Sequence, residues 1–170
     1  MFYILLFIFL LILSGFFSGT ETAYFHIKKY RKETPKNIKS ILDYPQRLLI
    51  SLLTGNTIVN VAMASLAAYI TAKYANEFGL SISMLIFVEV IIVSIIVLIF
   101  GEILPKMAAI GNSEIFAQKV YRPLKIMMSI LYPISQAFNT ITNLIIKLLP
   151  MEKEKIFDSE EELKMLAELG

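Results

Sequence analysis

The sequence predicts an all-α integral membrane protein: three transmembrane helices, juxtamembrane amphipathic helices and a short acidic cytoplasmic helix. Its 170 residues are 56% hydrophobic and 18% charged, whereas globular domains carry about 25% charged residues. A soluble chain of this length buries only about 70% of its surface, which is too little to cover so many apolar side chains. These side chains also fall in blocks long enough to cross a bilayer, and the charges lie between the blocks.

The first apolar block runs from Met1 to Phe17, and residues 18–25 extend it to the length of a membrane span. A cleaved signal peptide is the alternative, but the amino terminus has no basic segment and the apolar run is longer than usual. The second block covers residues 48–72 and the third covers residues 80–104. We therefore expect the chain to cross the membrane three times.

The charges between the blocks predict an orientation. Residues 73–80 contain one lysine and one glutamate. Residues 26–46, which follow the first block, instead set six basic residues against Glu33 and Asp43. The six are Lys28, Lys29, Arg31, Lys32, Lys36 and Lys39. Because basic loops remain in the cytoplasm, we expect a multi-pass protein of the cell membrane with its amino terminus outside and its carboxyl terminus cytoplasmic.

The segment at residues 126–149 allows two interpretations, because it contains a charge-free stretch long enough for a fourth span. Its polar residues recur at helical spacing opposite an apolar face, and basic residues flank both ends. The polar residues are Ser129, Gln136, Thr140 and Asn143. Both features favour helices that lie at the cytoplasmic interface, and we expect these helices to break near Pro123 and Pro133.

The composition changes at Pro150. We therefore assign residues 1–150 to the membrane domain with its juxtamembrane belt. In residues 151–170, Ser159 followed by three glutamates predicts a capped acidic helix. One modest apolar edge cannot form a domain by itself, so we expect this helix to lead into a cytoplasmic domain that lies beyond these residues.

Polar residues inside the apolar blocks are functional candidates, because hydrocarbon is a costly environment for them. In the first block, Ser14, Ser18 and Glu21 share one helix face. Gly15 and Gly19 predict either close helix packing or a helix that opens and exposes its carbonyl groups. The alternatives for Glu21 are an ion pair with Lys28 or the capping of a helix.

The other two blocks carry comparable clusters. Asn56 and Asn60 are one turn apart in the second block, where interhelical hydrogen bonds or ligation of a hard cation would satisfy their amides. In the third block, Glu102 follows Gly101 and precedes Pro105. The proline cannot donate to the carbonyl of Gly101, and its ring is expected to push the preceding residue out of helical geometry.

Together the clusters supply hydroxyl, amide, carboxylate and main-chain oxygens, without imidazole or thiolate. Hard ions such as Mg²⁺, Ca²⁺ or Na⁺ fit that donor set. With one strong carboxylate, Glu102, an ion would be held loosely enough to leave. Glu89 lies about 20 Å from Glu102 along a helix, and we expect it in the outer half of the span, either snorkelling or buried in a dimer.

Several other functions are not indicated. A His-Glu-x-x-His motif and a glycine-rich phosphate loop are missing from the sequence, and we expect no serine paired with a histidine for intramembrane proteolysis. We therefore expect no enzymatic activity. The basic loop is expected to face anionic membrane lipid, and no nucleic-acid partner is expected.

Three motifs on successive spans resemble the transmembrane domain of the CorC/CNNM (cyclin M) magnesium transporters. They are FSGTETA at residues 17–23, GNTIVN at residues 55–60 and GEILPK at residues 101–106. The acidic stretch at residues 159–163 is similar to the helix that leads into the paired CBS domains of that family.

The resemblance implies a homodimer of three-span subunits with an amphipathic belt and an inward-facing cavity. It implies a largely dehydrated Mg²⁺ held by Ser18, Asn56 or Asn60, and Glu102, with the carbonyl of Gly101. It also implies export of Mg²⁺ against entering Na⁺. ATP binding, which would belong to the CBS domains, is not expected on these residues.

Two other functions stay open at the level of sequence. The protein could be a non-transporting membrane anchor that senses Mg²⁺ and dimerises to hold a cytoplasmic regulatory domain, with the polar clusters serving only to pack helices. It could also be a sodium-coupled carrier of another solute.

Overall fold

The first membrane helix is continuous. The computed structural model describes residues 1–31, 33–79 and 81–148, and in it α1 spans Phe2–Tyr30. An apolar sequence favours this helix within a membrane. Two lysines in the last turn also place positive charge at the negative end of the helix dipole.

The basic connection contains the short helix α2 (Lys36–Leu42), and α3 (Pro45–Phe78) follows it. Pro45 stands in the first turn of α3, where its missing N–H removes no helical hydrogen bond. Gly79 ends α3 in the left-handed conformation, with φ of 63°, which a glycine adopts without steric cost.

The third crossing is built from three consecutive helical segments. Helix α4 (Ile82–Ile96) leads into a π-helical segment (Val97–Ile103), which continues directly as α5 (Leu104–Gly111). The predicted departure of Leu104 from helical geometry is wrong, because Leu104 has φ −61° and ψ −45°.

The π-helical segment explains why the helix continues through the proline. The N–H of Leu104 donates to the carbonyl of Ile99, five residues back, which gives a wider turn. Pro105 then falls in the first turn of α5, where its N–H is not needed. The chain therefore passes the proline without a break.

The last described element, α6 (Ser113–Leu148), is also one helix. The predicted breaks near Pro123 and Pro133 are wrong, since both prolines lie inside it. Both proline rings are exposed. The carbonyls that they leave without a donor belong to Lys119 and Ser129, which are exposed as well and can be satisfied by water or headgroups.

The predicted fold class is confirmed. In the described part of the chain, three helices are long and apolar enough to span a membrane. These are Phe2–Tyr30, Pro45–Glu77 and Ile82–Gly111. Helix α6 is not among them, in agreement with the interfacial interpretation of its sequence. The predicted acidic helix near Ser159 lies outside the described residues.

The chain divides into two units, residues 1–135 and 136–170. In the first unit, α1 packs against α3 and the third crossing, and α6 adds Ala117, Leu124 and Leu131 to the buried core at seven-residue spacing. No described side chain of α4 is buried. The described part of the second unit, residues 136–148, is the end of α6.

Candidate functional site

The hydroxyl of Ser14, on α1, is the centre of a group of oxygen atoms. Its Oγ lies 3.1 Å from Oδ1 of Asn56 and 3.0 Å from Oδ1 of Asn60, and the residue is 0% exposed. The two asparagines are one turn apart on α3, so both amides lie on the face that meets α1. Because a hydroxyl has one proton, it donates to only one of these carbonyl oxygens at a time.

Gly101 brings the third crossing to the same hydroxyl. The glycine is buried in the π-helical segment, and a Cβ atom at this position would lie 2.9 Å from Ser14 Oγ. Any larger residue would force the serine or the backbone to move. All three crossings therefore meet at Ser14.

Glu102 and Asn60 line one cavity of about 410 Å³ between α3 and the third crossing. Except for Ser94, the other described lining residues are apolar: Ala64, Val93, Val97 and Leu98. Glu102 is half-buried, and among the described residues its carboxylate has no ion pair. The cavity thus connects the oxygen group around Ser14 to a carboxylate through Asn60.

Ser18 lies one turn beyond Ser14 on α1. It is 2% exposed, and its Oγ has no hydrogen-bond partner within the described ranges. Burial of an unpaired hydroxyl is costly, so this oxygen is available to a ligand. The main-chain carbonyl of Ser18 accepts a hydrogen bond from Oγ1 of Thr22 at 3.2 Å.

The glycines of α1 serve close helix packing. A Cβ at Gly15 would lie 3.0 Å from Cγ of Pro105, and one at Gly19 would lie 3.2 Å from the carbonyl oxygen of the same proline. Helix α1 does not open at either glycine. The packing interpretation is therefore correct, and no α1 carbonyl is exposed by an unwound turn here.

The remaining acidic candidates lie apart from this group. Arg31 and Glu114 form an ion pair at 4.0 Å, the only one among the residues described. Glu21 therefore does not pair with Lys28, and it caps no helix, because α1 continues to Tyr30. Glu89 is half-buried in α4, with Oε2 buried and unpaired among the described residues, and it does not line the cavity.

The structure thus brings Asn56, Asn60 and Gly101 together around Ser14, and it joins Glu102 to them through the shared cavity. Ser14 is absent from the predicted ligands, although its four-residue spacing from Ser18 was a usable signal. In the part of the chain described, no three His, Cys, Asp or Glu residues cluster in a way that could hold a metal. A cation here would be held chiefly by uncharged oxygens.

The comparisons with known proteins cover almost the whole chain. Residues 5–170 match the family model described as the cyclin M (CNNM) transmembrane N-terminal domain. This match includes every residue of the site described above.

Individual relatives are distant but similar over most of the chain. A UPF0053 protein of Haemophilus influenzae is 25% identical over 94% of this chain and 39% of its own length. The UPF0053 inner membrane protein YfjD of Escherichia coli is 24% identical over 91% and 37%. A DUF21 domain-containing protein of Arabidopsis thaliana, described as chloroplastic, is 27% identical over 92% and 24%. The chain thus matches between a quarter and two-fifths of the length of these relatives.

Proposed function

The chain belongs to the family of cyclin M (CNNM) transmembrane domains, and from this premise we propose that it transports Mg²⁺ across the cell membrane, with Na⁺ entry driving export. The observation that carries the proposal is the meeting of three crossings at Ser14, where oxygens of α1 and α3 lie in contact and Gly101 of the third crossing packs against the hydroxyl. Two amide oxygens lie 3.1 and 3.0 Å from one hydroxyl. A cation would relieve this excess of acceptors over protons.

The donor set suits Mg²⁺, which prefers oxygen ligands in an octahedron at about 2.0–2.1 Å and releases its water reluctantly. Ser14, Ser18 and the two asparagines offer uncharged oxygens that can replace water, and the carbonyl of Gly101 is a further candidate. One carboxylate, Glu102, neutralises only part of the ion's charge. The ion would therefore bind weakly enough to be released again.

The mechanism that we propose is alternating access. Glu102 attracts the hydrated ion into the cavity that it shares with Asn60. The ion exchanges water for the amide and hydroxyl oxygens beyond the cavity and is released when the three crossings rearrange. Close glycine contacts bring the backbones of α1 and the third crossing directly against each other, so that a shift of one of these helices would move the other.

The proposal includes a homodimer. Helix α4 supports it, because none of its described side chains is buried and its exposed residues are almost entirely apolar. Such a face is covered either by lipid or by protein. A second copy would provide the protein surface.

Vesicle flux and ion binding test the function together. Purified protein in vesicles with an enclosed Mg²⁺ dye is expected to show Mg²⁺ flux, and Mg²⁺ is expected to stabilise the protein against heat. Glu102→Ala should abolish both responses while the dimer remains folded. Glu89→Ala is the matched control, because it removes the same charge from the same crossing at a residue that does not line the cavity.

The alternatives give different results. A membrane anchor would give no flux in the unaltered protein, and Asn60 substitutions would change association instead. A sodium-coupled carrier of another solute would give flux without selectivity for Mg²⁺. Unchanged Mg²⁺ stabilisation in Glu102→Ala would remove Glu102 from the site.

A further inference from the structure

A second polar cavity lies at the start of α3, away from the group of oxygen atoms around Ser14. It measures about 380 Å³ and is formed where α2 and the start of α3 approach α6. This volume falls within the range of small-ligand sites, about 300–1,000 Å³. Among the described residues that line it, Arg47 and Lys125 are the two charged ones and none is acidic.

The two cations are available to a ligand. The guanidinium of Arg47 lies over the ring of Tyr132, with 4.3 Å between its central carbon and the ring centroid. Stacking fixes the plane of the guanidinium and leaves its N–H groups at the edge for a planar or bidentate acceptor. Among the described residues neither Arg47 nor Lys125 has an ion pair.

The rest of the lining combines hydroxyl groups with apolar side chains. Ser40 and Tyr44 contribute hydroxyls, of which that of Ser40 already donates to the carbonyl of Asn37 at 2.7 Å, whereas Ile41 and Met128 are apolar. Ile41 is buried and Met128 is half-buried. The cavity therefore has apolar side chains in its interior and the cations of Arg47 and Lys125 at its exposed edge. A phosphate group with an attached glycerol or acyl segment matches this distribution better than a bare inorganic ion does.

The position of the cavity identifies the source of that phosphate. Arg47 lies in the first turn of α3, and the second candidate span begins at Pro45. The cavity is therefore at the end of a membrane crossing, where phospholipid headgroups lie. We propose that this cavity binds the phosphate of an anionic phospholipid between Arg47 and Lys125, with the lipid chains in the surrounding membrane.

A neighbouring basic cavity is a weaker candidate. Lys28, Arg31 and Lys39 line it, but so does Glu33, and Arg31 is already 4.0 Å from the carboxylate of Glu114. An anion there would meet one carboxylate in the lining and a cation that is already paired. The cavity between Arg47 and Lys125 has neither drawback.

The test compares lipids by thermal unfolding of the purified chain in a neutral detergent. The probes are dioleoylphosphatidylglycerol, dioleoylphosphatidylcholine and inorganic phosphate. Phosphatidylglycerol is expected to raise the unfolding temperature most, because phosphatidylcholine carries its own ammonium group beside the phosphate. The double variant R47Q/K125Q should weaken the apparent affinity for phosphatidylglycerol by about tenfold or more, as expected for losing charge-assisted hydrogen bonds.

The matched control is K119Q/R122Q, which removes one lysine and one arginine from exposed positions of α6 outside the cavity. It should retain the response to phosphatidylglycerol. An equal response in R47Q/K125Q would overturn the proposal. Equal stabilisation by inorganic phosphate would overturn the assignment to a lipid.

A photoactivatable phosphatidylglycerol provides a measurement on the unaltered protein, in case the double variant fails to fold. Its adducts are expected within residues 40–47 and 121–129, and adducts confined to other segments would contradict the proposal. The inference is independent of magnesium transport. R47Q/K125Q is expected to keep its Mg²⁺-dependent thermal shift.

Discussion

Ser14 has one proton to donate and two amide oxygens within hydrogen-bond distance. In the amide orientations of this structure, one of the two carbonyl oxygens faces a hydroxyl that does not donate to it. Nearby Ser18 adds a buried hydroxyl that is unpaired among the described residues. Such arrangements cost stability. They are expected where a ligand completes the hydrogen-bonding or coordination shell.

The two asparagines should differ in their effect on ion binding. Both contact Ser14, but only Asn60 also lines the cavity with Glu102. We expect Asn60→Ala to weaken the apparent Mg²⁺ affinity by about tenfold or more, corresponding to the loss of one strong ligand contact. Asn56→Ala should chiefly lower stability, by about 1–3 kcal/mol.

Thermal unfolding at a series of Mg²⁺ concentrations measures both quantities. Ser65→Ala, at an exposed position of the same helix, is the control for a polar-to-alanine change on α3. If Asn56→Ala loses the Mg²⁺ response and Asn60→Ala retains it, the ligand assignment is reversed.

For single residues, the sequence predicted which side chains are candidate ligands but not which other side chains they contact. Four-residue spacing predicted that Asn56 and Asn60 share a face, and the structure agrees. The central position of Ser14 depends on how α1 is rotated against α3. That rotation is a property of packing between distant segments, and no local pattern in the first block specifies it.

At the scale of elements, the π-helical segment (Val97–Ile103) contains the glycine, Gly101, that lies against Ser14. The apolar runs predicted all three crossings, because length and hydropathy are local properties. Neither the wider turn nor the continuity of α6 through Pro123 could be read from the same runs. Both depend on where freed carbonyl groups can find other partners.

Gly101→Ala should therefore damage the site through packing. The added Cβ would lie 2.9 Å from Ser14 Oγ, so the π-helical segment or α1 has to move. We expect a destabilisation of about 1–3 kcal/mol, typical of overpacking, together with a weaker Mg²⁺-dependent thermal shift. Chemical or thermal unfolding with and without Mg²⁺ measures both effects.

Gly111→Ala is the control for replacing a glycine in the same crossing, because a Cβ there meets nothing within 4 Å. It should be neutral or stabilising by up to about 1 kcal/mol, since alanine favours helix. A Gly101→Ala variant with unchanged stability and unchanged Mg²⁺ response would show that the close contact with Ser14 is dispensable.

At the scale of the whole molecule, the unequal distribution of charge predicts how the chain lies in the membrane. Residues 26–46, from the last turns of α1 to the start of α3, hold six basic residues and only two acidic ones, whereas the connection after α3 is nearly neutral. Basic segments are retained in the cytoplasm. The orientation of the three spans is therefore a prediction from the distribution of charge.

Cysteine labelling tests the orientation with little background, because the chain has no cysteine of its own. Asn76→Cys, near the end of α3, and Lys36→Cys, in α2, both lie at exposed positions. In intact cells a membrane-impermeant maleimide is expected to label Asn76→Cys at once and Lys36→Cys only after permeabilisation. The two positions flank one crossing, so labelling of both from the same side would rule out that span, and the reverse pattern would place the amino terminus in the cytoplasm.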